Sequence, residues 1–185
     1  MSNASLFLSF LTGGKATVPG KAKVIGDFDI KRYAGQWYEI ARLDHSFESG
    51  LINASATYNL MDNGLIKILN QGYNPEKRMW RKAIGKAKFA SRPQIGQLLV
   101  SFFGPYFTSY NIIELDKADY NYALVCGSNL TFLWIIARQT SLPENITAQL
   151  VEKAKEAGFD TDKLVYVQHD PCVPEPQDFS RFSTK

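Results

Sequence analysis

Apolar and polar residues alternate with a period of two along most of the chain from Gln36 to Arg138, and turn residues recur at short intervals. Alternation sends successive side chains to opposite faces, so each run reads as an antiparallel strand. Strands are predicted near 36–44, 53–61, 65–73, 79–90, 96–103, 107–115, 120–126 and 131–138. Asn63-Gly64 reads as a tight hairpin with positive φ at both central positions. Residues 73–79, 104–106 and 116–119 mark three further turns. The period then changes. Ser141 and Glu144 fit a capping box with Pro143 inside the first turn. Ile146, Leu150, Ala154 and Ala157 form one apolar stripe, and Gly158 fits the stop. A helix over 142–157 follows, laid on the outside of the sheet. Residues 164–168 read as a ninth short strand. Eight strands with short links and no crossover helices favour an all-β fold, an eight-stranded antiparallel up-and-down β-barrel, over the alternative sandwich. Closure also removes exposed sheet edges.

Composition refines this reading. A chain of 185 residues with 45% hydrophobic content makes one globular domain. The aromatic share of 13% suits a wide interior that side chains must line. The net charge is only +3 and the basic residues read as scattered, so nucleic acid is not implied as a partner. Cys126 and Cys172 leave open whether they bridge or stay as thiols. Residues 5–14 are apolar but too few to span a bilayer, which takes roughly 20 residues. Residues 1–26 therefore read as a truncated leader and tether beginning with an expression scar, 27–169 as the folded domain, and 170–185 as a flexible tail.

Gly35-Gln36-Trp37 opens the first strand and Arg138 ends the eighth. A barrel needs one end closed. Trp37 can fill that end, Gly35 lets the chain turn in, and a guanidinium can lie over the indole for roughly 0.5–2 kcal/mol. This pair, with "DYNYALVCG" at 119–127, resembles the lipocalin signature. "FDIKRYAGQWYEIARLDHSFESG", "NQGYNPEKRMW" and "VSFFGPY" are similar to the bacterial outer-membrane lipocalin (Blc) subfamily. "NLMDNGLIKILNQ" resembles apolipoprotein D, a relative in the same superfamily.

The resemblance covers about Phe28 to Gln168 and implies a calyx with one open mouth that binds a fatty acid or lysophospholipid. It implies attachment to the inner leaflet of a bacterial outer membrane, facing the periplasm, through a lipidated cysteine. It also implies a role in envelope lipid transport, storage or maintenance, and homodimers in some members. Leu11-Thr12-Gly13 resembles a lipobox, but Gly14 stands where the anchor cysteine belongs, so the chain as given is expected to be soluble. The late cysteine of apolipoprotein D resembles Cys172; its early partner position falls in 51–53, where no cysteine stands.

Candidate ligand contacts are Glu39, Arg42, Phe47, Tyr58, Asn70, Phe89, Phe103, Tyr110, Tyr122 and Trp134, with Gly35, Trp37 and Arg138 as the structural signature. Alternation puts Glu39 and Ala41 on Trp37's face, and a carboxylate inside an apolar barrel must be paired or protonated. It either joins a polar cluster with Asn70 and tyrosines or sits at a wet rim. On the seventh strand Tyr120, Tyr122 and Leu124 share a face. Phe47, Phe102, Phe103, Tyr106 and Phe107 lie near strand ends and suit a hydrophobic mouth or a dimer surface. Arg42, His45 and Arg81 can meet a carboxylate or phosphate head group, or remain solvated surface charges. No hydrolase elbow, zinc-protease motif, phosphate loop or dinucleotide glycine pattern occurs, so an enzyme, a cofactor and a metal are not expected. The alternatives to lipid carriage are another hydrophobic cargo (haem, an isoprenoid, a pigment) or an interaction protein working through its Phe-rich mouth.

Overall fold

The computed structural model describes residues 16–176. The leader, its Gly14 and the last part of the tail lie outside the described residues. Eight antiparallel strands follow one another as β1 (Gly35–Leu43), β2 (Ile52–Leu60), β3 (Ile66–Asn74), β4 (Met79–Phe89), β5 (Gln97–Phe103), β6 (Tyr106–Leu115), β7 (Tyr122–Cys126) and β8 (Leu133–Ala137). Each pairs with the next, and β1 pairs with both β2 and β8, which closes the barrel. A short helix α1 (Ile30–Tyr33) precedes β1, and α2 (Glu144–Glu156) lies outside. A ninth strand, β9 (Leu164–Tyr166), pairs with the upper half of β1 where β2 has diverged.

Alternation divides the apolar residues into two cores. Trp37, Tyr58, Ile66, Ile68, Leu98, Val100, Ala123, Val125 and Ile136 point into the barrel. Ala41, Leu43, Leu124, Leu133, Ile135 and Ala137 point outward and are covered by Leu150 and Ala154 of α2. That is why β8 is apolar on both faces.

The closed end is built as the sequence suggests. Trp37 is fully buried, and its Nε1 donates to Tyr33 O at 2.7 Å. The Arg138 guanidinium carbon sits 3.9 Å from the indole centroid. Arg138 also donates to the carbonyls of Arg32, Tyr33, Ala34, Gln36 and Tyr120. Gly35 takes φ +97°, a conformation other residues rarely adopt.

Several local expectations are corrected. Only Gly64 takes positive φ in the β2–β3 hairpin; Gly64 N–H donates to Met61 O and Met61 N–H to Leu65 O, a three-residue loop with a glycine bulge. The capping box does not form, because extended Pro143 is itself the N-cap and Ser141 lies outside the helix. The stop at Gly158 does form: Gly158 N–H reaches Lys155 O and Phe159 N–H reaches Ala154 O. Tyr120 has φ +59° and belongs to the turn before β7. Residues read as tether and tail are partly tied down. Ile25 N–H donates to Ile112 O, Asn53 and Asp170 exchange two hydrogen bonds, and Trp80 Nε1 donates to Pro174 O.

The charges are also not scattered. Between Asn63 and Ile113 stand eight basic residues and one acidic residue, Glu76. The rest of the chain holds 13 basic and 17 acidic residues. The β3–β6 half of the barrel is therefore strongly positive.

The floor predicts its own mutational signature. Trp37→Ala is expected to cost about 3–5 kcal/mol of unfolding free energy in urea. Arg138→Lys, which keeps the charge but loses the planar fork, should cost about 2 kcal/mol. Phe47→Ala, in a half-buried loop, should cost less than either. A Trp37→Ala protein as stable as the Phe47→Ala protein would remove the floor from its structural role.

Candidate functional site

The interior above the floor is governed by one irregularity. Glu39 pairs with Ile136 and Ala41 with Ile135, so Ile40 is an extra residue, a β-bulge. One extra residue reverses which face later side chains take. Ala41 consequently faces outward into the α2 core, against the expectation that it shares Trp37's face. Arg42, opposite Trp134, turns inward and is only 1% exposed; the reading of a solvated surface charge fails here.

Arg42 organises the upper interior. Its Nη1 donates to Glu39 Oε2 at 3.1 Å, and its Nη2 donates to Glu48 O at 2.7 Å and Leu51 O at 3.3 Å. The β1–β2 loop is thereby folded over the mouth, with Leu51 packed against Gly72 of β3. Glu48 Oε2 accepts from Trp134 Nε1 at 3.1 Å. His45 stacks on Phe47 with centroids 4.0 Å apart and also contacts Phe132 and Trp134. One arginine thus faces two buried carboxylates. Burial raises the Glu39 pKa against the attraction of Arg42, and raises that of Glu48 further, with Glu39 adding repulsion. Burial, then Arg42, pushes His45 down to about 4. His45 Nε2 approaches Glu48 Oε2 at 3.5 Å, and the lowered His45 pKa works against an ion pair there.

Lower down, Tyr58 OH donates to Tyr110 OH at 2.8 Å, and Tyr110 OH shares a 2.6 Å bond with Tyr33 OH. These three buried phenols all have raised pKa values, chiefly from desolvation. Asn70 follows Ile66 and Ile68 on the inner face of β3, and Thr108 lies opposite Val100 on that of β6. Asn70 Oδ1, Thr108 Oγ1 and both His45 ring nitrogens are buried without a hydrogen-bond partner. The β3–β4 ladder is unbroken, so Arg81, opposite Gly72, stands on the inner face near the mouth and is exposed.

The structure thus brings Glu39, Arg42, Phe47 and Trp134 together at the mouth, and Tyr58 with Tyr110 near the floor, with Asn70 on the inner wall. Phe89 packs against the inner core at the closed end. Phe103 is 62% exposed at the β5–β6 tip, while its neighbour Phe102 turns inward. Tyr122 is misplaced by the sequence reading. It lies in the outer core with Leu124, beside Leu142 and Ile146, because Tyr120 belongs to the turn and Ala123 and Val125 face inward. Glu48, Tyr33 and Thr108 are inner residues that the strand pattern missed: two stand outside the strands, and Thr108 reads as an ordinary alternating position. Cys126 and Cys172 are both free thiols. No helix among the described residues is long and apolar enough to cross a membrane.

Comparison with known proteins adds to this geometry. A family model described as a lipocalin-like domain matches residues 28–169. The chain is 44% identical to the outer membrane lipoprotein Blc of Vibrio cholerae, over 88% of this chain and 95% of that protein. It is 30% identical to mouse apolipoprotein D, over 90% of this chain and 95% of that protein. In fold it is similar to insecticyanin from the tobacco hornworm Manduca sexta, at TM-score 0.68 and 19% identity, covering 89% and 94% of the two chains.

The burial of Glu48 has a sign that can be checked. A Glu48 pKa raised in the folded state above 4.5 stabilises the fold at low pH, and that stabilisation fades as pH rises through the folded value. Glu48→Gln keeps the acceptor for Trp134 but cannot ionise. It should match wild type in acid and exceed its urea stability above neutrality. His45 acts oppositely: its depressed value, about 4 against 6.5, costs stability as pH falls through that window. A Glu48→Gln advantage that did not grow with pH would show Glu48 ionised in the fold.

Proposed function

The chain belongs to the lipocalin family, and from that premise we propose that its calyx holds a fatty acid or a lysophospholipid in the bacterial envelope. As a lipocalin it is a binding protein for a hydrophobic ligand and not an enzyme. The proposed setting is the periplasmic side of the outer membrane, reached through an N-terminal lipid anchor in the native protein. What supports that setting is the likeness to proteins named as outer membrane lipoproteins.

The observation that carries the cargo is the mixture of polarity inside the barrel. Much of the inner wall is apolar, lined by Ile66, Ile68, Leu98 and Val100, and the tyrosine hydroxyls near the floor bond to one another. An acyl chain buried there gains about 0.8 kcal/mol per CH₂ before ordering costs. Toward the mouth the lining changes, with the unpartnered Asn70, Thr108 and His45 atoms. A buried polar atom without a partner costs about 1–3 kcal/mol. An amphiphile answers both demands, because its hydroxyl or ester groups can meet these atoms while its tail stays in the apolar part. Arg81, exposed on the inner face near the mouth, suits a carboxylate or phosphate at the head.

Organic extraction of the purified protein followed by mass spectrometry should recover acyl lipids, and lysophospholipid titration should change tryptophan emission through Trp134. Recovery of no lipid together with an unchanged emission would sink the reading. Asn70→Leu sharpens the test. It should raise the unfolding midpoint, because an unpaired acceptor disappears, and weaken lysophospholipid binding about two- to tenfold.

A further inference from the structure

The outer face of β3 and β4 carries a second feature that the calyx does not use. On β4 the outward residues are Lys82, Ile84, Lys86 and Lys88, all exposed, with Ile84 at 64%. On β3 Lys67 lies directly opposite Lys86, and Leu69 opposite Ile84. A like-charged cross-strand pair is unfavourable by itself. Among the described residues no carboxylate pairs with Lys67, Lys86 or Lys88. The Lys86 and Lys88 ammonium groups instead sit 5.8 Å and 4.6 Å from the ring centroid of Phe107 on β6.

We propose that this cationic, partly apolar sheet face docks on an anionic lipid bilayer. Three features select a bilayer over other anions. The lysines interleave with apolar groups, the exposed Ile84 and the half-buried Phe107 ring, so ammonium heads can meet phosphates while Ile84 enters the interfacial layer. The charge is lysine on a broad strand surface, which suits many mobile phosphates rather than one bidentate site. The chain also enters the described structure beside this face: Thr17 N–H donates to Ser109 Oγ, two residues along the outer face of β6 from Phe107. The described chain therefore begins at the edge of the patch. An N-terminal anchor, where the native protein has one, would hold this face near the membrane. The docking itself does not need the anchor or any particular calyx cargo.

Vesicle flotation of the full chain tests the idea, using vesicles of equal parts phosphatidylcholine and phosphatidylglycerol beside vesicles of phosphatidylcholine alone. The chain should float with the mixed vesicles at low salt, be released by high salt, and ignore the neutral vesicles. A Lys67→Gln, Lys86→Gln, Lys88→Gln triple variant should lose association on the order of a hundredfold. Its circular dichroism melt and its lysophospholipid titration should stay unchanged, which separates this surface from the calyx. Ile84→Ser should weaken binding even at low salt. Equal flotation of the triple variant, flotation with neutral vesicles, or tighter retention of the wild type by a DNA duplex than by the mixed vesicles would each overturn the proposal.

Discussion

Closing a sheet on itself leaves one place where the chain must enter, and there the backbone has no strand to pair with. In this protein the carbonyls of Arg32, Tyr33, Ala34 and Gln36 lie at that entrance, and Arg138 donates to all of them and to Tyr120. A guanidinium suits the task because its five N–H donors are held in a plane that also covers the indole of Trp37. The contact joins the beginning of β1 to the end of β8, about a hundred residues apart, and secures the ladder that pairs Tyr38 with Ala137 beside it. Once they are joined, the register of every strand between them is set, and with it the face that each side chain takes.

The site above the floor follows from one of the departures from a regular register, the bulge in β1. Without the bulge at Ile40, Arg42 would point into the α2 core and Ala41 into the calyx. With it, Arg42 reaches Glu39 and two carbonyls of the β1–β2 loop, and that loop becomes a cover over the mouth. Burying a charged group is costly unless its hydrogen bonds are met. Arg42 meets its own through Glu39 and the loop carbonyls, so the loop conformation and the buried ion pair depend on one another. The second carboxylate, Glu48, has no cation of its own. Beside Trp134 and His45, burial raises its pKa and favours the protonated form, and Trp134 Nε1 donates to its Oε2.

Much of this was legible in the chain. Eight period-two runs gave the strands, and the Trp37–Arg138 placement gave the closed end. The stripe from Ile146 to Ala157 with Gly158 gave the helix and its stop, since each signal is local and repeats. Bulges were not legible, because a one-residue insertion leaves the hydrophobic pattern plausible on either side of it. That is why Ala41 was assigned to the wrong face and why Arg42 could still be read as a solvated surface charge. Tyr122 failed for a related reason: the strand begins two residues later than the pattern suggests, and Tyr120 spends its place on a left-handed turn. The unpaired polar atoms of Asn70 and Thr108 were invisible, because a hydrogen bond that is not made leaves no mark in sequence. The charge imbalance between 63 and 113 was present in the linear sequence, yet it gained meaning only when β3 and β4 put their lysines on one surface.

The two faces of β4 show how one strand can serve both demands. Its inner row runs Arg81, Ala83, Gly85, Ala87, and its outer row runs Lys82, Ile84, Lys86, Lys88. Small inner residues leave room inside the barrel. At Gly85 a Cβ would stand 2.7 Å from the Phe102 ring, so the inward phenylalanine of β5 needs that glycine. The outer row is freed from packing, since neither α2 nor β9 covers this side, and so Lys86 and Lys88 can stand there without a carboxylate partner at little cost in stability. Alternation keeps the rows independent: a change in outer charge leaves the calyx lining alone, and a change in inner volume leaves the surface potential alone. A barrel whose helix covers β1, β7, β8 and the end of β6 is therefore divided by its own construction. One flank is closed by apolar packing, and the opposite flank is open to solvent on the outside and carries small residues on the inside.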